Sequence, residues 1–128
     1  MYFIYVSNDI EAIEMLEKVL SRMDQSKLLI AVPNGYDLIQ FLQNVKKGEA
    51  YPDLIILTTK FLRMSGIELL KLLKIDDIYK LIPVIMLLPE KNDAEEELCR
   101  RLGTDMIISP QLPGEWAAAA QKMCTACT

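Results

Sequence analysis

Four segments of strand length in this chain are apolar at nearly every position, and they restrict its fold more than any other feature. Met1–Val6 (MYFIYV), Lys27–Val32 (KLLIAV), Asp53–Leu57 (DLIIL) and Pro83–Leu88 (PVIMLL) lack the polar–apolar alternation of a half-exposed strand. Unbroken apolar runs of this length mark strands covered on both faces, as in a parallel sheet flanked by helices. A shorter fifth run, Met106–Ile108, follows the same rule. Turn residues close the runs: Ser7-Asn8-Asp9 ends the first, Pro33-Asn34-Gly35 the second, and Pro89 the fourth.

The intervening segments carry a helical period. Ile10, Ile13, Leu16, Leu20 and Met23 recur every three or four residues, with Glu14 and Lys18 paired on another face. Leu38, Ile39, Phe41, Leu42 and Val45 predict a second helix that finishes near Gly48. Ile67, Leu69, Leu70, Leu72 and Leu73 predict a third, following Gly66. Asn92 with Glu95 three positions on, Glu96 with Arg100, and Glu97 with Arg101 predict a capped helix over Asp93–Leu102, stopped by Gly103. Pro113-Gly114 opens an Ala-rich last helix carrying Trp116 and running to the C-terminus. Five such strands alternating with five helices specify an α/β fold with right-handed crossovers. The 128 residues, 52% apolar and 25% charged, suit a single domain, 1–128, whose core needs no metal or disulfide staple.

Composition narrows the chemistry. The chain has no histidine, which excludes Ser/His/Asp and Cys/His nucleophilic sites, His-ligated zinc or haem, and a phosphohistidine carrier. With 14 Lys+Arg against 18 Asp+Glu, the net charge of −4 argues against a nucleic-acid partner. The start MYFIYVSND lacks a cationic signal segment, and no apolar stretch approaches the roughly 18 residues of a membrane span, so a cytoplasmic location and no membrane partner are expected. Cys99, Cys124 and Cys127 are odd in number and read as reduced thiols. Cys124 and Cys127 have redox or half-zinc spacing but stand at the end of a helix, where a thioredoxin-type pair would begin one. A small redox or flavin protein remains a lesser alternative; it would give a yellow preparation or a titratable Cys124–Cys127 couple. No glycine-rich phosphate loop supports a nucleotide or flavin site, and no cofactor and no enzymatic activity are expected.

Sheets of this kind place their sites beyond the carboxyl ends of the strands. The residues there are Ser7-Asn8-Asp9, Thr58-Thr59-Lys60, Leu88-Pro89-Glu90 and Ser109-Pro110-Gln111. Each has a plain reading: Thr58 and Thr59 as β-branched residues completing a strand, Lys60 and Arg63 as solvated loop charges, Asp9 as a helix N-cap or a metal ligand.

Four pieces, in order and at matching spacing, carry a family resemblance: Val32–Leu42 (VPNGYDLIQFL), Pro52–Leu70 (PDLIILTTKFLRMSGIELL), Ile82–Leu87 (IPVIML) and Gly103–Ser109 (GTDMIIS). Through them the chain resembles the receiver domain of two-component response regulators over nearly its full length. The resemblance implies a flavodoxin-like, CheY-like three-layer sandwich with sheet order 2-1-3-4-5. It also implies that the family's chemistry falls on unusual residues. The acidic pair that holds Mg²⁺ falls on Ser7 and Asn8, leaving Asp9 as the nearby carboxylate. The phosphoacceptor aspartate falls on Thr58, the phosphoryl-sensing hydroxyl on Leu88, the phosphoryl-pairing lysine on Pro110 and the aromatic switch on Ile107. A threonine hydroxyl without an adjacent base is a weak nucleophile, and no imidazole exists to serve it. The expectation is a pseudo-receiver that works by phosphorylation-independent protein–protein interaction, with an unusual phosphoacceptor at Asp9 or Thr58 as the alternative. The implied output face comprises Ala94–Leu102, the fifth strand and Trp116–Met123, with Glu97, Arg101 and Trp116 as contact candidates. Trp116 could anchor a partner there or pack back onto the sheet. A signalling protein of a histidine-kinase pathway, or a second copy of the chain, would be the partner on that face.

Overall fold

The computed structural model describes residues 2–23, 28–58, 65–88, 92–109 and 113–126, with nothing said of side chains at 113, 114, 116, 117 and 124–126. The elements are β1 (Tyr2–Val6), α1 (Ile10–Met23), β2 (Leu28–Val32), α2 (Gly35–Gln43), β3 (Leu54–Thr58), α3 (Gly66–Ile75), a 3₁₀ turn η1 (Tyr79–Leu81), β4 (Val84–Leu87), α4 (Asp93–Arg101), β5 (Met106–Ile108) and α5 (Pro113–Ala126). All four strand pairings are parallel, and the strands lie in the order β2-β1-β3-β4-β5. This is the α/β, flavodoxin-like arrangement expected from the sequence.

The unbroken apolar runs are explained by two cores, one on each face of the sheet. Ile4, Val6, Ile55, Leu57, Val84 and Met86 point toward α2, α3 and α4, where they meet Leu38, Leu42, Leu69, Leu70, Leu73 and Cys99. Their strand neighbours Phe3, Tyr5, Leu54, Ile56, Ile85 and Leu87 point the other way, onto Leu16 and Leu20 of α1 and Ala119, Ala120 and Met123 of α5. Alternate residues thus enter alternate layers, and apolar area leaves water on both sides.

Side-chain caps start the helices where the sequence placed turn residues. Asn34 Oδ1 accepts from the Asp37 N–H at 2.9 Å, Ser65 Oγ from Glu68 at 3.1 Å, and Asn92 Oδ1 from Glu95 at 3.1 Å. The expected Glu96–Arg100 and Glu97–Arg101 pairs form at 3.0 and 3.2 Å. Gly103, at φ +96°, takes the left-handed conformation that follows α4.

Two departures from the sequence reading matter. Asp53 is not the first residue of β3: it stands just outside, and its carboxylate accepts from the Tyr2 N–H at 2.9 Å. The strand instead extends one residue further, to Thr58. Asp105 repeats the device before β5, its Oδ2 accepting from the Val84 N–H at 2.7 Å and from Lys74 Nζ at 3.3 Å. Each aspartate closes an orphan N–H at the start of a neighbouring strand. Asp105→Ala should therefore cost about 1–3 kcal/mol by leaving a buried donor unpaired, whereas Glu97→Ala, at a solvated pair, should change stability by about 0.5 kcal/mol or less. Urea unfolding midpoints of the two variants check this.

Candidate functional site

The carboxyl ends of β1, β3, β4 and β5 lie side by side, since Thr58 is the register partner of Leu87, and Leu87 that of Ile108. The β1–β3 register, which pairs Tyr5 with Ile56, carried two residues further brings Ser7 level with Thr58. The fold therefore gathers Ser7, Thr58 and Leu88 at one end of the sheet.

Ser7 is 6% exposed and is held by local bonds: its N–H donates to Val32 O at 2.9 Å, and its Oγ accepts from the Asp9 N–H at 3.1 Å. Asn8 and Asp9 are exposed. Asp9 caps α1: its Oδ1 accepts from the Ala12 N–H at 3.2 Å, and its backbone O from Ile13 at 3.0 Å. A carboxylate at this position also complements the positive end of the helix. Thr58 is half-buried and is the last residue of β3.

Leu88 has the least equivocal environment. It is 1% exposed, its N–H donates to Ile108 O at 2.9 Å, and its own O accepts from the Ser109 hydroxyl at 3.0 Å. Its side chain is apolar and buried just beyond the end of β4. Ile107 is half-buried against the α2–α3–α4 core, beside its register partner Met86. Thr59, Lys60, Arg63, Pro110 and Cys127 lie outside the described residues. Among the described residues no cluster of three or more His, Cys, Asp or Glu side chains is placed to hold a metal ion.

One residue escaped the sequence reading. Tyr5, two positions before Ser7, is 2% exposed, and the Ser7 side chain stands by its hydroxyl. Burial pushes its hydroxyl up to about 12, with the Asp9 charge adding and the Ser7 side chain opposing. The two-residue spacing from Ser7 was the available signal, but within MYFIYV a tyrosine reads as one more apolar residue. Cys99, on α4, is buried in the core; burial raises its thiol pKa, with Glu95 and Glu96 adding.

On the implied output face, Glu97 and Arg101 are exposed and bonded to each other. Trp116 falls on α5, with its side chain outside the described residues. Among the described residues no helix is long and apolar enough to cross a membrane.

Known structures share this architecture closely. A phosphorylated cyanobacterial phytochrome response regulator, RcpA, superposes with a TM-score of 0.85 at 19% identity, over 95% of this chain and 89% of its own. A response regulator receiver domain from Rhodospirillum rubrum gives 0.83 at 23% identity, over 96% and 90%. A two-component response regulator from Legionella pneumophila gives 0.81 at 20%, over 98% of each chain. Neither the protein-family models nor the curated protein sequences give a match. At these identities the likeness defines the fold, which is that of CheY-like response-regulator receiver domains.

Proposed function

We propose that the chain is a receiver-like signalling module that acts by protein–protein interaction without being phosphorylated. The observation that carries this reading is Leu88, a buried apolar side chain 1% exposed where the family resemblance calls for a hydroxyl facing the phosphoryl group. A leucine side chain offers no hydrogen bond to a phosphate oxygen.

The neighbouring residues agree. Mg²⁺ takes oxygen ligands that include one or two carboxylates and keeps several waters in an octahedral shell. Here the matching residues are a buried serine and an asparagine, which leaves Asp9, its Oδ1 engaged as a helix cap, as the one carboxylate beside that position. Thr58 stands in the phosphoacceptor position, and its hydroxyl has no histidine to act as a base. Proline at position 110 has no side-chain donor where the resemblance calls for lysine.

The same reading proposes a signalling partner, of the kind found in histidine-kinase pathways, on the face formed by α4, β5 and α5. Glu97 and Arg101 present an exposed charge pair there, and Trp116 stands on the adjoining helix. A partner bound on this face would sense the scaffold rather than a phosphoryl group.

Incubation with Mg²⁺ and acetyl phosphate tests the proposal. No acid-labile phosphoryl group should be incorporated under conditions that load an active receiver domain in parallel. Stable incorporation at Asp9, or phosphorylation of Thr58, would overturn the reading in favour of an unusual phosphoacceptor.

A further inference from the structure

Exposed large apolar side chains are dispersed over most of the described surface: Ile10 on α1, Leu28 on β2, Tyr36 on α2, Leu98 on α4. Isolated residues of this kind are ordinary. One corner differs, because Leu72, Ile75, Ile78 and Leu81 are 42%, 77%, 55% and 77% exposed within one short stretch.

Local structure holds them there. Leu72 and Ile75 lie three apart on α3, on one side of the helix. Ile78 caps η1 and Leu81 ends it, again three apart, and side chains at that spacing eclipse in a 3₁₀ turn. The two helices pack against each other. Asp76 fixes the junction, its Oδ1 accepting from the Ile78 N–H at 2.8 Å and the Tyr79 N–H at 2.9 Å. Tyr79 is anchored edge-on to Tyr51, with ring centroids 6.0 Å apart. The aliphatic groups are thus presented by a capped, anchored corner.

We propose that this α3–η1 corner is a homodimer interface, where two copies of the chain meet about a twofold axis through Leu72, Ile75, Ile78 and Leu81. Two features select a second copy as the occupant. The first is charge. The chain as a whole carries −4, so most of its surface repels its own copy. At this corner Lys71 and Lys80 balance Asp76 and Asp77, and the side chains of Lys80 and Asp77 are 48% and 95% exposed. Lys80 and Asp77 pair with each other at 3.2 Å within one copy, so the corner carries no net charge and, unlike the acidic remainder, does not repel a second copy brought against it. The second feature is area. The four side chains present on the order of 300 Å² of apolar surface, so two copies bring together about 600 Å². A polar rim of lysines and aspartates extends this toward the roughly 1,000 Å² at which specific interfaces begin.

The family resemblance would place a homodimer on the α4–β5–α5 face instead. On α4, Asp93, Glu95, Glu96 and Glu97 outnumber Arg100 and Arg101, and Leu98 is its exposed large apolar residue. The α3–η1 corner stands at the amino-terminal end of β4, the opposite end from Ser7, Thr58 and Leu88. A dimer formed there leaves both the strand-end site and the α4–β5–α5 face open.

Sedimentation velocity of the full chain over a micromolar concentration series is the test. The wild-type protein should pass from monomer to dimer mass as concentration rises. Ile75→Lys/Leu81→Lys should move the midpoint at least about tenfold higher with unchanged circular dichroism, since both side chains are solvated in the monomer. Asp77→Lys alone should weaken the dimer, and Asp77→Lys/Lys80→Asp should restore it. Leu98→Lys should leave the midpoint in place. A wild-type protein that stays monomeric throughout overturns the proposal. So does a dimer indifferent to Ile75→Lys/Leu81→Lys, or one dissociated by Leu98→Lys instead.

Discussion

Alanine at Ile55 and alanine at Ile56 should each lower the unfolding free energy by about 2–5 kcal/mol, although adjacent strand residues point to opposite faces. Both side chains are fully buried. Ile55 lies in the layer with Ile4, Val84 and Leu70, and Ile56 in the layer with Tyr5, Leu16, Ile85 and Ala119. Each truncation removes transfer free energy and leaves a cavity in a different core. The two cavities open in different cores, so the double variant should lose much of the 5–15 kcal/mol that a domain of this size commands. Leu28→Ala, on the edge strand and 60% exposed, provides the contrast and should cost well under about 1 kcal/mol. Urea midpoints at constant slope measure all four proteins. A cost below about 1 kcal/mol at either isoleucine would mean that one face of the sheet is open, contrary to the two-core packing.

As pH rises from about 10 to 12 the wild-type protein should lose about 2–3 kcal/mol more stability than Tyr5→Phe. The sign follows from where the proton is held. The Tyr5 hydroxyl is pushed up to about 12 from 10.0 chiefly by burial, so above pH 10 the unfolded chain releases a proton that the folded chain keeps. Stability is then fully present below about pH 10 and falls through the folded value. Tyr2 and Tyr79 are also raised, mainly by burial, but they occur in both proteins and cancel in the comparison. At pH 8 the phenylalanine variant should be less stable by about 1 kcal/mol, the value of a polar interaction lost by the buried hydroxyl. The two stability curves should therefore converge and cross as the solution becomes alkaline. Parallel curves would show that Tyr5 reaches solvent in the folded state.

Much of this architecture is legible in the chain because burial on two sides leaves a strong compositional mark. The runs MYFIYV, KLLIAV, DLIIL and PVIMLL fall on β1 to β4 with end errors of about a residue, and Asn92 caps α4 as its spacing to Glu95 predicts. Sheet order came from the family resemblance, since which strands pair depends on contacts between residues far apart in sequence. The misses share a cause. Asp53 reads as a strand residue until its carboxylate is seen reaching Tyr2. The 3₁₀ turn at Tyr79–Leu81 has no period of its own and depends on Asp76 folding back onto its N–H groups. At the strand-end site, sequence alone left Asp9 divided between cap and metal ligand, and the cap is formed, with a 3.2 Å bond from the Ala12 N–H. Leu88 was visible as a leucine; its burial and its backbone bonds to Ile108 and Ser109 were not.

The aspartates before β3 and β5 also separate two problems that proteins usually solve together. By bonding the first N–H groups of β1 and β4, Asp53 and Asp105 fasten the sheet at its amino edge, far from Asn8 and Thr58. Residues at the opposite rim can then diverge without loosening the strands behind them. A scaffold anchored at one end can drift in its chemistry at the other, so changes at Asn8 or Thr58 interrogate what the pocket does rather than whether the chain folds.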